Sequence, residues 1–318
     1  MKTLLTKLLL LLAVFSCWSQ PKGKIVKIDG FKSKFVQARN IEIWLPAGYD
    51  ANTKIKYPVL YMQDGQNVFN AATSMHKIAW EADLTAEKLT AVHRIEPFII
   101  VAVWNTENRY MEYFPEKASL NFNDQNKQVF PTAVKDVNPK NTELLGDEYL
   151  KFLTQELKPY IDKKYRTKPD TANTAICGSS MGALISLYAL CEYPEVFGEA
   201  ACLSTHWTLM PDAPRSPFTN ALMKYIDEHL PSHENHRIYF DYGTKTIDHY
   251  YGNYQDGVNT ILKNKGYTTQ NWSTKKFEGA AHTEKDWQER FDEVLLFLFK
   301  PEEKKEKKPL QKNVAKRS

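Results

Sequence analysis

The residues Gly178-Ser179-Ser180-Met181-Gly182 read Gly-x-Ser-x-Gly around a central hydroxyl. The apolar stretch Thr174 to Cys177 comes before them, and a second one, Met181 to Cys191, follows at once. A buried strand that turns sharply into a buried helix at a serine is the setting of a nucleophile elbow. The turn is too tight for side chains beside the serine, which accounts for the two glycines. The start of the helix directs free N–H groups and a positive dipole end at the reacting centre. The competing reading is a plain glycine-rich turn between strand and helix.

A serine hydroxyl is a poor nucleophile at neutral pH. It needs a base to take its proton and an acid to orient that base. At an elbow the chain order is serine, acid, histidine. His206, His229, His233, His236, His249 and His282 all follow Ser180. Only His282 comes just after the last expected strand and before the last expected helix, among the small residues of Glu278-Gly279-Ala280-Ala281-His282-Thr283-Glu284. The acid is expected after the strand Arg237 to Tyr242. Asp248, in the loop past that strand, is favoured over Asp241, which lies within it. The oxyanion of an acyl-transfer intermediate needs two donors. The N–H groups of Met181 and of Gln66, in Gln63-Asp64-Gly65-Gln66-Asn67, are the candidates, with Gly65 allowing close backbone approach. His206 and Trp207 are expected on the substrate side, with loop packing as an equal alternative. Trp104 and Arg109 join them as candidate cleft residues.

The elements that must carry these groups alternate along the chain. Strands are expected at Asn40 to Leu45, Pro58 to Met62, Phe98 to Trp104, Thr174 to Cys177, Glu199 to Leu203, Arg237 to Tyr242 and Gln270 to Phe277. Helices are expected at Thr142 to Lys164, Met181 to Cys191, Phe218 to Leu230, Tyr250 to Lys265 and Glu284 to Lys300. Such alternation implies an α/β fold, a mostly parallel sheet flanked by helices. Residues 105–141 show little periodicity and read as an irregular insertion or lid-like loop, with aromatic residues set among polar ones.

The block Lys56-Tyr57-Pro58-Val59-Leu60-Tyr61-Met62-Gln63-Asp64-Gly65-Gln66 resembles the strand-and-loop block of the "Putative esterase" family. That group includes enterochelin-type esterases, esterase D relatives, and the feruloyl and acetylxylan esterases of carbohydrate esterase family one. The elbow, Asp241-Tyr242-Gly243-Thr244 and Gly279-Ala280-Ala281-His282-Thr283-Glu284 resemble its other blocks. The resemblance spans roughly residues 24–300. It implies an α/β-hydrolase fold and carries over Ser180 and His282. Some relatives place the acid three residues after the glycine of the third block; here that position is Thr246, and Asp248 takes the role. The expected activity is carboxylic ester hydrolysis through an acyl-enzyme, on a sugar-linked, feruloyl or acetyl, or siderophore-type ester. Acyl transfer to an acceptor other than water, or non-catalytic binding on the same scaffold, are the alternatives.

Length and composition fit this reading. The 318 residues are 42% hydrophobic and 25% charged, which excludes collagen-like and disulfide-dense classes. Lys2 and Lys7 followed by the apolar run Leu8 to Phe15 read as a signal peptide over residues 1–20, directing the chain to the periplasm or outside the cell. Acylation at Cys17 is a minor alternative. Residues 301–318 carry seven Lys or Arg and three Glu and read as a disordered tail. Leader and tail together carry more positive charge than the net +4 of the whole chain, so the expected catalytic domain, residues 21–300, is slightly acidic. No nucleic-acid partner, membrane span, metal or other cofactor is expected. Cys177, Cys191 and Cys202 read as buried thiols, with one disulfide as the alternative. His233 and His236 read as a solvated loop.

Overall fold

The computed structural model describes residues 22–210 and 216–301. The expected leader and most of the expected tail lie outside them. Eight strands form one sheet: β1 (Lys24–Phe31), β2 (Arg39–Leu45), β3 (Val59–Met62), β4 (Ile99–Val103), β5 (Thr174–Ser179), β6 (Glu199–Leu203), β7 (Arg237–Tyr242) and β8 (Trp272–Lys276). Their order is β1-β2-β4-β3-β5-β6-β7-β8. β1–β2 and β2–β4 pair antiparallel, and every other pair is parallel. The central strands β3, β4 and β5 are buried on both faces, as their unbroken apolar runs require.

Alternate side chains feed two cores. Ile43, Tyr61, Val101, Ile176, Cys202 and Phe240 face the helices Met181–Glu192, Thr219–His229 and Tyr251–Asn264. Trp44, Leu60, Ile100, Cys177, Ala201 and Tyr239 face Ala82–Ala91 and Phe291–Phe299. The register pairs Ser179 with Leu203, Leu203 with Asp241, and Tyr242 with Lys276. The carboxyl ends of four neighbouring parallel strands therefore lie nearly level, and the loops leaving them share one edge. Open parallel sheets place their ligands outside those ends.

The structure departs from expectation in five places. Residues 105–141 are largely helical: Arg109–Tyr113, a 3₁₀ segment Glu116–Asn121, and Asp124–Val137. Pro131 inside the last of these interrupts the sequence pattern of a helix, and Asn123 caps its start by accepting from the Asn126 N–H at 2.8 Å. The long helix begins at Gly146 and runs to Lys164 with a π-helical stretch at Phe152–Leu157. The last expected helix is two, Glu284–Glu289 and Phe291–Phe299, separated at Arg290. Strand β1 and the helix Ala82–Ala91 were not legible; β1 is a half-exposed edge strand whose lysines obscure its alternation.

Cys177, Cys191 and Cys202 are buried and unpaired. His236 is buried rather than solvated, its ring nitrogens bonded to the Ser232 and Pro194 carbonyls. No helix of the described residues is long and apolar enough to cross a membrane.

Candidate active site

The elbow is built by close approach. Ser180 adopts φ 57°, ψ −122°, a strained conformation for a residue with a side chain, between β5 and the helix Met181–Glu192. Its N–H continues the sheet by donating to the Leu203 carbonyl at 2.9 Å. A Cβ on Gly178 would lie 2.5 Å from the Gly182 backbone, and one on Gly182 would meet the Gln63 and Asp64 side chains. Gly178 is thus required by the turn, and Gly182 sits tight against the residues after β3. Met181 opens the helix, where first-turn N–H groups have no intrahelical acceptor.

Gln66 lies in the 3₁₀ turn Gly65–Asn67 that follows β3. Gly65 is pressed against β4: a Cβ there would fall 2.6–2.7 Å from the Ala102 and Val103 backbone. Asn105 N–H donates to Gln66 Oε1 at 3.2 Å and ties this turn to the residues after β4. Asp64, just before the turn, has φ 55° and is held from three sides. Arg109 grips its carboxylate with Nε and Nη2, both at 2.7 Å; Asn105 Nδ2 donates to Oδ1; and the Asp64 N–H donates to Tyr113 Oη at 3.2 Å. Burial disfavours the Arg109 charge, but Asp64 outweighs it and holds the guanidinium protonated.

His282 and Asp248 are in direct contact. Nδ1 of His282 lies 2.6 Å from Asp248 Oδ1. Asp248 sits in the 3₁₀ turn Thr246–Tyr250, fully buried. Its other oxygen accepts from Ser204 Oγ at 2.6 Å and from the Gly243 N–H at 2.7 Å. Burial alone would raise this carboxyl, but bonds from His282, Ser204 and Gly243 prevail and hold it below its usual value. A carboxylate only accepts, so Nδ1 of His282 carries a proton and Nε2 of the neutral ring is left as an acceptor.

The loops bearing the pair are laced together. Thr244 and Lys245 N–H both donate to the Ala280 carbonyl at 2.9 Å, and the His282 N–H donates to Thr246 Oγ1 at 2.8 Å. A Cβ on Gly243 would lie 2.2 Å from the Ala280 oxygen. Thr246 occupies the position where some relatives carry the acid; here it clasps the histidine loop instead.

Ser180 joins the same cluster through its neighbours. The His206 N–H donates to the Ser180 carbonyl at 3.3 Å, His206 Nδ1 lies 2.8 Å from Tyr251 Oη, and the Tyr251 ring packs edge-on against His282 at 5.9 Å. Trp287 flanks His282 on another side, at 4.9 Å. Asp241 is in neither contact. It points to the other face of the sheet, where Arg290 Nη2 meets it at 2.8 Å.

Four cleft expectations need revision. His206 is buried and both ring nitrogens are engaged: Nε2 donates to the Met210 carbonyl at 3.0 Å, so Nδ1 accepts from Tyr251. Burial pushes its pKa down to about 3, and the ring is neutral. Trp207 is fully buried in the core, 5.9 Å from Phe240. Trp104 turns its indole to Glu42 of β2, on the side of β4 away from the elbow. Arg109 is committed to Asp64. The sequence also did not reveal Ser204, Arg290 and Tyr251, whose contacts depend on strand register.

A family model described as "Putative esterase" matches residues 33–298. The chain belongs to the Putative esterase family. Membership sets it among carboxylic ester hydrolases, and the mixed eight-stranded sheet flanked by helices is of α/β-hydrolase type. An endo-1,4-beta-xylanase/feruloyl esterase of Xylanibacter ruminicola is 26% identical over 284 residues. The match covers 87% of this chain but only 32% of that protein, so the chain spans about a third of its length. The uncharacterized protein YbbA of Bacillus subtilis is 22% identical, with 82% of this chain and 92% of that one covered. Among solved structures, a ferulic acid esterase superposes with a TM-score of 0.63 at 21% identity, covering 87% of this chain and 98% of that one. The enterobactin esterase FES of Shigella flexneri gives 0.58 at 17% identity, covering 88% of this chain and 61% of that one. These two likenesses are likenesses of fold.

Proposed function

We propose that this esterase-family chain is an exported serine hydrolase in which Ser180, His282 and Asp248 form a catalytic triad. Ser180 Oγ attacks the ester carbonyl and passes its proton to His282 Nε2. Asp248 holds the imidazole in the Nδ1–H form and stabilises the imidazolium. The N–H groups of Met181 and Gln66 bind the oxyanion. The alcohol leaves with the proton from His282, and water, deprotonated by the same nitrogen, then releases the acid.

The observation that carries this reading is the Ser180 backbone, strained at φ 57° and ψ −122° at the carboxyl edge of β5, on the edge that also bears the His282–Asp248 pair. Strain of this kind persists only where the surroundings over-determine it. We further propose a sugar-linked feruloyl or acetyl ester, or a siderophore-type ester, as substrate. Its support is the naming of relatives as feruloyl, ferulic acid and enterobactin esterases. The phenylalanines of residues 105–141 add no support, because Phe114, Phe122 and Phe130 pack on one another and on Phe218. Export rests on the basic and apolar pattern of residues 1–20, which lie outside the described residues.

The test is hydrolysis of p-nitrophenyl acetate, then of feruloyl sugars, acetylated xylan and catecholate siderophore esters. Ser180→Ala is expected to lower kcat by about 10⁴-fold or more. Unchanged turnover in that variant would reject the triad.

A further inference from the structure

Behind Asp248 lies a buried polar cluster that the triad does not itself use. Ser204 directly follows β6, has φ 44°, and is fully buried. Its hydroxyl has three partners. Trp287 Nε1 donates to it at 3.0 Å, Arg290 Nη2 donates to it at 2.9 Å, and it lies 2.6 Å from Asp248 Oδ2. A hydroxyl has two acceptor sites and one proton. Indole and guanidinium nitrogens here can only donate, so both acceptor sites are taken. The single proton has one place left to go, which is Asp248 Oδ2.

The guanidinium is itself fixed. Arg290 breaks the last helix in two and turns inward, where Asp241 Oδ1 accepts from its Nε at 3.2 Å and its Nη2 at 2.8 Å. Asp241 hangs from β7 and is fully buried. The chain of contacts therefore runs from Asp241 through Arg290 and Ser204 to Asp248 and His282.

We propose that Ser204 is a positioning residue for the triad, and that Arg290 and Asp241 set the direction of its proton. With Ser204 and the Gly243 N–H both on Oδ2, that oxygen is saturated. Oδ1 is left for His282 Nδ1. The carboxylate cannot rotate to offer its other oxygen, and the histidine cannot exchange to the Nε2–H tautomer without breaking the bond to Oδ1. Asp241, the weaker of the two acid candidates in the sequence, thus acts three contacts away from the acid. The inference rests on the triad reading.

The test uses Ser204→Ala and Ser204→Gly; glycine suits the positive φ and also lacks the hydroxyl. Both are expected to lower kcat on p-nitrophenyl acetate by about 10- to 100-fold, the effect of losing a buried bond to a charged group, with KM changed less than about twofold. In an Asp248→Asn background the same substitution is expected to cost less than about threefold, because the anion it serves is gone. Long-range ¹H–¹⁵N spectra of His282 are expected to show the Nδ1–H tautomer in the parent and a mixture in Ser204→Gly. An equal loss with and without Asp248, or an unaltered tautomer, would assign Ser204 a purely structural role and overturn the proposal. If Asp248→Asn is itself fully active, the triad reading is what fails. If Asp248→Asn is inactive while folded Ser204→Gly matches the parent, the triad stands and the Ser204 proposal falls.

Discussion

At the scale of single residues, two groups near His282 are held in fixed protonation states. Asp248 is held ionised by its three bonds, and His206, one tyrosine away from His282, is held neutral by burial. A free histidine protonates near pH 6.5, whereas His206 does so at about 3. Between those values the unfolded chain binds a proton that the folded chain refuses. The stability tied to His206 is therefore complete above about pH 6.5 and falls as the pH is lowered towards 3. By pH 5 the loss is about 2 kcal/mol. Asp248 has the opposite origin but the same direction. Its stabilisation is present above the usual carboxylate range and is lost only as pH falls below it, so it does not act at pH 5. Urea unfolding at pH 7.5 and pH 5 should show His206→Gln losing less stability than the parent between the two. An equal loss would mean that the imidazole is not kept neutral.

At the scale of elements, four loops from one sheet edge do the positioning, and each is pinned by backbone contact. The turn after β3 can sit against β4 only because residue 65 has no side chain. A methyl at Gly65 has backbone on its near side, so the turn and not a flexible neighbour must move. Gly65→Ala is expected to lower stability by about 1–3 kcal/mol through overpacking. It is also expected to lower kcat by about 10²-fold, by displacing the Gln66 N–H from the oxyanion. Thermal unfolding and p-nitrophenyl acetate kinetics measure the two effects separately. Full activity in a folded Gly65→Ala would remove Gln66 from the site. The ion pair between Arg109 and Asp64 braces the same turn from the helix Arg109–Tyr113, so the insertion contributes rigidity to the site.

At the scale of the whole molecule, one sheet with a core on each face carries everything described. The thiols report on its integrity. Cys177 and Cys202 lie on neighbouring strands, facing opposite cores, and Cys191 lies on the elbow helix. Burial raises all three thiols well above their ordinary value and keeps them protonated. The thiolate is the reactive form. An aromatic disulfide reagent at pH 8 is expected to leave these three untouched in the native protein and to modify all of them in denaturant. Fast native labelling of any one would show local opening of the sheet or of the elbow helix.

What the sequence determined by itself was the local chemistry. Strand ends, the two elbow glycines, and Ser180, Asp248 and His282 as candidates follow from short-range patterns of apolar runs, small residues and order along the chain. Buried strands are legible because both faces need apolar side chains. The exposed edge strand β1 was not, because its lysines obscure the alternation, and neither was the helix Asp124–Val137, because Pro131 interrupts its pattern. Tertiary structure alone decided which polar groups meet. It turned Trp207 into the core, spent Arg109 on Asp64, closed both nitrogens of His206, and set Ser204 between Arg290 and Asp248. These outcomes depend on strand register and on which buried donors find acceptors, and a buried polar group takes the nearest partner in space, however far away it is along the chain.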